Sequence, residues 1–335
     1  MHTGLIPAIL ASYPGRKPRT ILTVHNLAFQ GLFPAELLGQ LGLPDSSFSV
    51  EGLEFFGQIS FLKAGLNYAD KLTTVSPELC RGDHLGRVRH GAGRSAVAAE
   101  ERSDRILNGI DDHVWNPESD PSLPGRYSAD DLANKTECKD QLQKGWGLET
   151  DTTAPLFVFA ARLEAQKMAD TLLEILPQMM ARPRVQLAVV GQGARALQDG
   201  FSEWTARMPG RISARIGYRE DWAHQLLAGG DMLVHGARFE PCGLTPMYAM
   251  RYGAVPIVRA VGGLKDSVTA VTDESLETGK ASGFHLLRRP PPACSKPSIA
   301  HCRCSGIAGI GSACSRRACA RISPGGTRPA IPPAL

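Results

Sequence analysis

The stretch RFEPCGLTP, Arg238 to Pro246, followed by MYAMRYG from Met247 to Gly253, decides how this chain is read. A short apolar run, Met232 to Val234, arrives at it as a strand would, and a turn of small residues around Gly243 hands over to a helix-forming segment. The first N–H groups of a helix have no partner within it and carry its positive partial charge, so a strand, glycine turn and helix in succession make a potential anion site. Glu240, just before the turn, would stand beside a bound phosphate rather than on it. That position suits contact with a neutral hydroxylated group next to the anion. An ordinary strand-to-helix turn with a capping acid has the same pattern, and the stretch alone leaves both readings open.

Working outward, the same half of the chain alternates regularly. LFVFAAR from Leu156, VQLAVVG from Val185, RISARIGY from Arg211, DMLVHGA from Asp231 and VPIVRA from Val255 are short apolar or β-branched runs separated by helical segments. Strands alternating with helices imply a parallel sheet covered on both faces. Arg162, Gln166 and Lys167 follow the first run, the GQG of Gly191 to Gly193 follows the second, Tyr218 the third, and RFEPCGLTP the fourth. All four sets fall at one edge of one sheet. Two cations, glycine turns, a helix N-terminus and an aromatic ring converging there describe a site for a nucleotide diphosphate, with the ring available to stack on a base.

Before this half, TILTVH, Thr20 to His25, reads as a strand that ends in NLAFQGLFP, placing His25 and Asn26 at the carboxyl edge of a sheet. A structural histidine that merely satisfies its hydrogen bonds is the alternative for His25. EFFGQISFLKAGLNYAD, Glu54 to Asp70, carries Phe55, Ile59, Leu62 and Leu66 at helical spacing and is predicted as a core-facing helix. KLTTVS, Lys71 to Ser76, reads as the next strand, with Ser76 and Pro77 opening a helix. Residues 81 to 104 lose any period and read as a loop, and RILNGIDDHVWNP resumes at Arg105 with a strand and an Asn-Gly turn. Residues 117 to 153 read as a connection with an amphipathic helix, polar enough to sit between domains.

Charge is divided unevenly along the 335 residues. The net +4 consists of a tail, 286 to 335, with eight Lys or Arg and no acid, and a body, 1 to 285, with 29 bases against 33 acids, hence −4. The body therefore offers no basic footprint for nucleic acid. No apolar run approaches the roughly 20 residues of a membrane span, and the N-terminus lacks the pattern of a signal peptide, so a soluble, cytoplasmic protein is expected. Five of the eight cysteines lie in the tail, at Cys294, Cys302, Cys304, Cys314 and Cys319. The single close pair, Cys302-x-Cys304 beside His301, lacks the second pair that a zinc site wants, and no metal is expected. The tail has neither helical nor alternating period and reads as disordered.

TVHNLAFQG, FLKAGLNYADKLTTVSPE, ILNGIDDHVWNP, RLEAQK and RFEPCGLTPMYAMRYGAVPIVRAVGGLKDSV resemble the bacterial glycogen synthases and the plant starch synthases, over most of 2 to 80 and 105 to 285. The resemblance implies an α/β chain of two Rossmann-like domains in the glycosyltransferase B arrangement: 1–116 as an incomplete acceptor-side domain, 117–285 as the nucleotide-sugar domain, and 286–335 as an off-pattern tail. It implies transfer of glucose from ADP-glucose to the non-reducing end of an α-1,4-glucan with retention, with no cofactor beyond the donor itself. Carried over residue by residue, Arg162 and Lys167 bind the diphosphate and stabilise its departure, and Glu240 stands beside the transferred glucose. Gln166 lies in the same motif as Lys167, Tyr218 packs on adenine, and Cys242, Gly243, Leu244 and Thr245 offer backbone N–H groups to phosphate. His25, Asn26 and Asn108 line the sugar pocket from the first domain. No residue is arranged as a nucleophile with a partnered base, which fits front-face substitution.

The chain also departs from the family pattern. Met1 stands directly before the HTGL motif, with no lysine-containing glycine loop, KTGGL, ahead of it, and Met168 follows Lys167 where glycine is usual. Residues 81 to 104 and the tail do not match, a pattern expected of compensating frame errors near Cys80 and an uncorrected one near Phe284. A chain so altered is expected to be impaired in transfer, and a non-catalytic binder of ADP or ADP-glucose is the alternative. A phosphorylase or a sugar-nucleotide epimerase of the same architecture is a third reading.

Overall fold

The computed structural model describes residues 2–27, 29–76 and 103–286. The helix expected at Pro77, most of the loop over 81–104, and the tail with its cysteines lie outside the described residues. The chain packs into two units that divide between Asn108 and Gly109, against the 116/117 division read from the sequence.

The second unit is built on a six-stranded sheet of order β12-β11-β10-β7-β8-β9. Its members are β7 (Leu156–Ala160), β8 (Gln186–Gly191), β9 (Ile212–Ile216), β10 (Met232–His235), β11 (Val255–Arg259) and β12 (Phe284–Leu286), every pairing parallel. Because side chains alternate across a strand, apolar runs such as LFVFA and QLAVV supply two cores at once. Leu156, Val158, Ala188, Val190 and Leu233 face one side, where they pack with Cys138, Leu142, Leu226 and Leu227. Phe159, Leu187, Val189 and Ile212 face the other, against Leu172, Leu176, Met180 and Phe201. The first set of helices is α4 (Ala133–Gly145) and α7 (Glu220–Gly229), and the second is α5 (Ala169–Met180) and α6 (Arg195–Arg207). The five strands expected from alternation are all present. β12 joins them as a sixth, at the very point where the sequence composition changes.

Residues 109–132, which hold no regular helix or strand, are fixed to this unit by side chains. Trp115 is stacked between His224 and Tyr248, with ring centroids 4.0 and 3.9 Å away. Asp120 accepts hydrogen bonds on one oxygen from the His224 ring at 2.6 Å and the Tyr252 hydroxyl at 2.5 Å, and all three residues are buried. Lys135 donates to the carbonyls of Ala228, Gly230 and Tyr252, placing a cation at the C-terminal end of α7 where the helix dipole favours one.

The first unit holds two three-stranded sheets. One is parallel, of order β1-β5-β6, from β1 (Ile21–Val24), β5 (Lys71–Thr74) and β6 (Ser103–Arg105). The other is antiparallel, of order β2-β4-β3, from β2 (Leu32–Pro34), β3 (Glu54–Phe55) and β4 (Gln58–Ser60). Helices α1 (Ile6–Ser12), α2 (Leu37–Gln40) and α3 (Phe61–Tyr68) complete it. The continuous helix expected over Glu54 to Asp70 is corrected here. Its first part is the hairpin β3-β4, turned by Phe56 and Gly57 at φ 49° and 79°, and the helix begins only after Ser60, whose hydroxyl caps the Lys63 N–H. A two-residue turn with both φ positive suits a hairpin, and glycine carries half of that requirement. The apolar stripe is still core, since Ile59, Leu62 and Leu66 are buried. The strand expected to begin at Arg105 instead ends there, and Ile106 and Leu107 are exposed.

Candidate nucleotide-sugar site

With β7 in the middle of the sheet, the chain runs outward through β8 and β9 on one side, then crosses to β10, β11 and β12 on the other. The order reverses between β7 and β10, and at such a point the loops beyond the strand ends part into a crevice. The two loops flanking it are Arg162 to Met168, after β7, and Gly236 to Gly243, after β10. They are tied together: the Arg238 N–H donates to the Gln166 carbonyl at 2.8 Å, and the Arg238 guanidinium pairs with Asp170 at 2.7 Å.

Across the crevice, Lys167 and Glu240 form an ion pair between side chains that are only 16% and 10% exposed. Glu240 Oε2 also meets His235 Nε2 at 3.4 Å. Burial alone would push the Glu240 carboxyl upward, but the His235 contact and the Lys167 charge outweigh it and hold the pKa down to about 2. Burial depresses the His235 pKa in turn, against the pull of Glu240. Arg162 reaches Glu164 at 2.6 Å and Gln166 at 2.8 Å, at the exposed rim.

Three glycine contacts let these loops approach so closely. Gly243, at φ 82°, turns the chain into α8 (Leu244–Arg251). Gly262 and Gly263 lie against the turn from beneath, where a Cβ would come within 2.3 Å of the Glu240 carbonyl and 2.4 Å of Cys242 Cα. The Gly263 N–H donates to that same Glu240 carbonyl at 2.8 Å. Met168 takes the left-handed conformation, φ 56°, immediately before α5. That is a conformation glycine adopts freely and methionine at a cost of roughly 1 to 2 kcal/mol. Its side chain lies over Gly236, where a Cβ would stand 3.3 Å from its sulfur.

Of the residues read from the sequence, Arg162, Gln166, Lys167, Glu240, Cys242, Gly243, Leu244 and Thr245 are brought together around this crevice. Tyr218 stands beyond the end of β9 and is 64% exposed. His25, exposed, and Asn26, half-buried, follow β1, while Asn108 lies beyond β6 at the same edge of the first unit's parallel sheet. Sequence reasoning misses His235, which it reads only as part of the run DMLVHGA from Asp231, whereas the structure makes it the last residue of β10. Its signal was position, since it ends the strand that leads into the decisive turn. A cavity of about 470 Å³ elsewhere in the unit, lined by Ser122, Trp146, Arg215 and Gln225 among others, contains none of the residues assigned to the donor.

Residues 1–82 match the family model described as starch synthase catalytic domain, and residues 154–283 match that of glycosyl transferases group 1. The chain is 47% identical over 286 residues to the glycogen synthase of Burkholderia thailandensis, covering 84% of this chain and 53% of that protein. It is 45% identical over 287 residues to that of Serratia proteamaculans, covering 84% and 59%. It thus spans between about half and three fifths of the length of these relatives. The catalytic domain of starch synthase IV from Arabidopsis thaliana, bound to ADP and acarbose, superposes with a TM-score of 0.84 at 25% identity, over 95% of this chain and 67% of that one. The Anabaena protein HepE in complex with UDP, at 19% identity and a TM-score of 0.57 over 96% and 71%, shares the fold.

Proposed function

The chain belongs to the glycogen synthase and starch synthase family of GT-B glycosyltransferases, and from that premise we propose that it moves glucose from ADP-glucose to the non-reducing end of an α-1,4-glucan with retention of configuration. The observation that carries this reading is the buried pairing of Lys167 with Glu240 at the switch point, ahead of the α8 N-terminus. In the proposed reaction the diphosphate lies against the Gly243, Leu244 and Thr245 N–H groups. Lys167 moves onto it, and Arg162 reaches it from the rim. Charge accumulates on the departing phosphate oxygen, and preorganised cations in a poorly solvated cleft stabilise it. Glu240, ionised, stands beside the glucosyl group, and Tyr218 packs on the adenine. The acceptor hydroxyl attacks from the face the diphosphate leaves and passes its proton to the departing phosphate oxygen, so neither a protein nucleophile nor a metal or other cofactor is assigned a role. The reaction is assigned to the cytoplasm.

A second reading, an ADP- or ADP-glucose-binding chain with little or no transfer, is favoured by one contrast. The donor residues stand on a sheet enclosed on both faces, whereas His25 follows a strand whose Ile21 is 69% exposed. Labelled glucose supplied as ADP-glucose, with glycogen as acceptor, separates the readings. Slow incorporation alongside calorimetric binding of ADP supports transfer, and binding without incorporation supports the second reading. Incorporation as fast as that of a full-length relative removes the expected impairment. No heat with millimolar ADP overturns both.

A further inference from the structure

Glu240 is held by one oxygen. Both of its contacts, from Lys167 and from His235, fall on Oε2, and among the described residues nothing hydrogen-bonds to Oε1. The two partners differ in what else they are needed for. Lys167 is also the cation assigned to the diphosphate, so an arriving donor draws it away from the carboxylate. His235 cannot leave. It is 2% exposed, it ends β10, and its backbone is registered against Val258 of β11.

The imidazole is committed to one protonation form by its surroundings. Nε2 faces a carboxylate that is ionised, so Nε2 carries the proton and donates. Nδ1 is buried with no hydrogen-bond partner. A bare lone pair there costs less than an orphaned N–H, which a buried site seldom tolerates. The charged groups facing the ring are Glu240 on the following turn and Lys167 on the loop after β7.

We propose that His235 is a positioning residue for the donor sugar: as a neutral Nε2–H imidazole it anchors Glu240 by Oε2, leaving Oε1 to accept a hydrogen bond from a hexose hydroxyl after the diphosphate has taken Lys167. The inference rests on the nucleotide-sugar reading of the site and adds a residue to it. Its signature is a difference between two ligands, because ADP uses the diphosphate and base contacts, whereas ADP-glucose also uses Glu240.

The test is calorimetry on the full chain with ADP and ADP-glucose, comparing the wild type with His235→Val and His235→Gln. In His235→Val, ADP affinity is expected to stay within about twofold, while ADP-glucose weakens about tenfold, the scale of one charge-assisted hydrogen bond. His235→Gln, whose amide N–H can meet the same oxygen, is expected to recover most of the loss, and it keeps the test decisive if the valine variant fails to fold. The imidazole nitrogen resonances of the wild type, assigned by their loss in either variant, are expected to show a neutral ring with its proton on Nε2 at pH 7. Equal weakening of both ligands, no weakening of either, or an imidazolium or Nδ1–H ring at pH 7 overturns the proposal. A wild type that binds neither ligand overturns the nucleotide-sugar reading together with it, whereas failure in the variants alone leaves that reading standing.

Discussion

Strands β7 and β1 play corresponding parts in the two units, each leading into a loop that carries assigned site residues, but they are held very differently. In β7, Leu156 and Val158 are wholly buried on one face and Phe159 is buried on the other. In β1, Val24 alone is buried, and its core comprises Leu27, Leu62, Leu66, Ala69 and Leu72 beside it. A loop inherits its precision from the strand that launches it. Lys167 and Glu240 therefore draw their placement from their own unit, while His25 draws little from its own.

The largest effect expected from this contrast is in the enclosed sheet. Leu187→Ala, at a wholly buried position, is predicted to cost about 3 to 5 kcal/mol in urea unfolding. A cost below about 1 kcal/mol would break the comparison. Next, Asp120→Ala is predicted to cost about 2 to 4 kcal/mol, since it removes the buried acceptor shared by His224 and the Tyr252 hydroxyl and leaves them only their 2.9 Å contact with each other.

Acid should find the crevice next. Glu240 ionises at about 2 in the folded chain against an ordinary 4.5, so its stabilisation is whole above pH 4.5 and drains as the pH falls toward 2. His235 lies below its ordinary 6.5 when folded, so the unfolded chain takes up its proton first and stability falls with pH below 6.5. Both slopes have the same sign. The urea midpoint is expected to fall continuously from pH 6.5 downward, and Glu240→Gln to flatten the part below pH 4.5. Met168→Gly removes the left-handed cost but also the packing over Gly236 and some rigidity of the unfolded chain. The net is predicted to lie within about 1 kcal/mol of zero. Ile21→Thr, on the exposed strand, is predicted to change stability by less than about 0.5 kcal/mol, and a loss matching that of Leu187→Ala would show that β1 is covered in solution.

The sequence made the enclosed sheet legible because burial on both faces leaves near-continuous apolar runs such as LFVFA and QLAVV. Lys167 and Glu240 could be found because the loops that carry them follow such runs. The hairpin at Phe56 and Gly57 escaped, since Phe55, Ile59, Leu62 and Leu66 fit a helical period while the turn depended on a positive φ at a phenylalanine. His235 escaped for a related reason: a residue that completes a strand pattern gives no sign of its polar partner. The buried Asp120, His224 and Tyr252 are spread over more than a hundred positions, and no local pattern joins them.

The pair formed by Lys167 and Glu240 also bears on which anions the crevice favours. A lone lysine there would attract chloride or any other small anion. Here the lysine already has a counter-ion of its own, held in place by His235. A monovalent visitor exchanges one negative neighbour for another and gains little. A diphosphate, the ligand proposed for this crevice, would bring more charge and meet the N–H groups ahead of α8 as well. On that proposal the resident carboxylate sets background salt at a disadvantage before base or sugar is read.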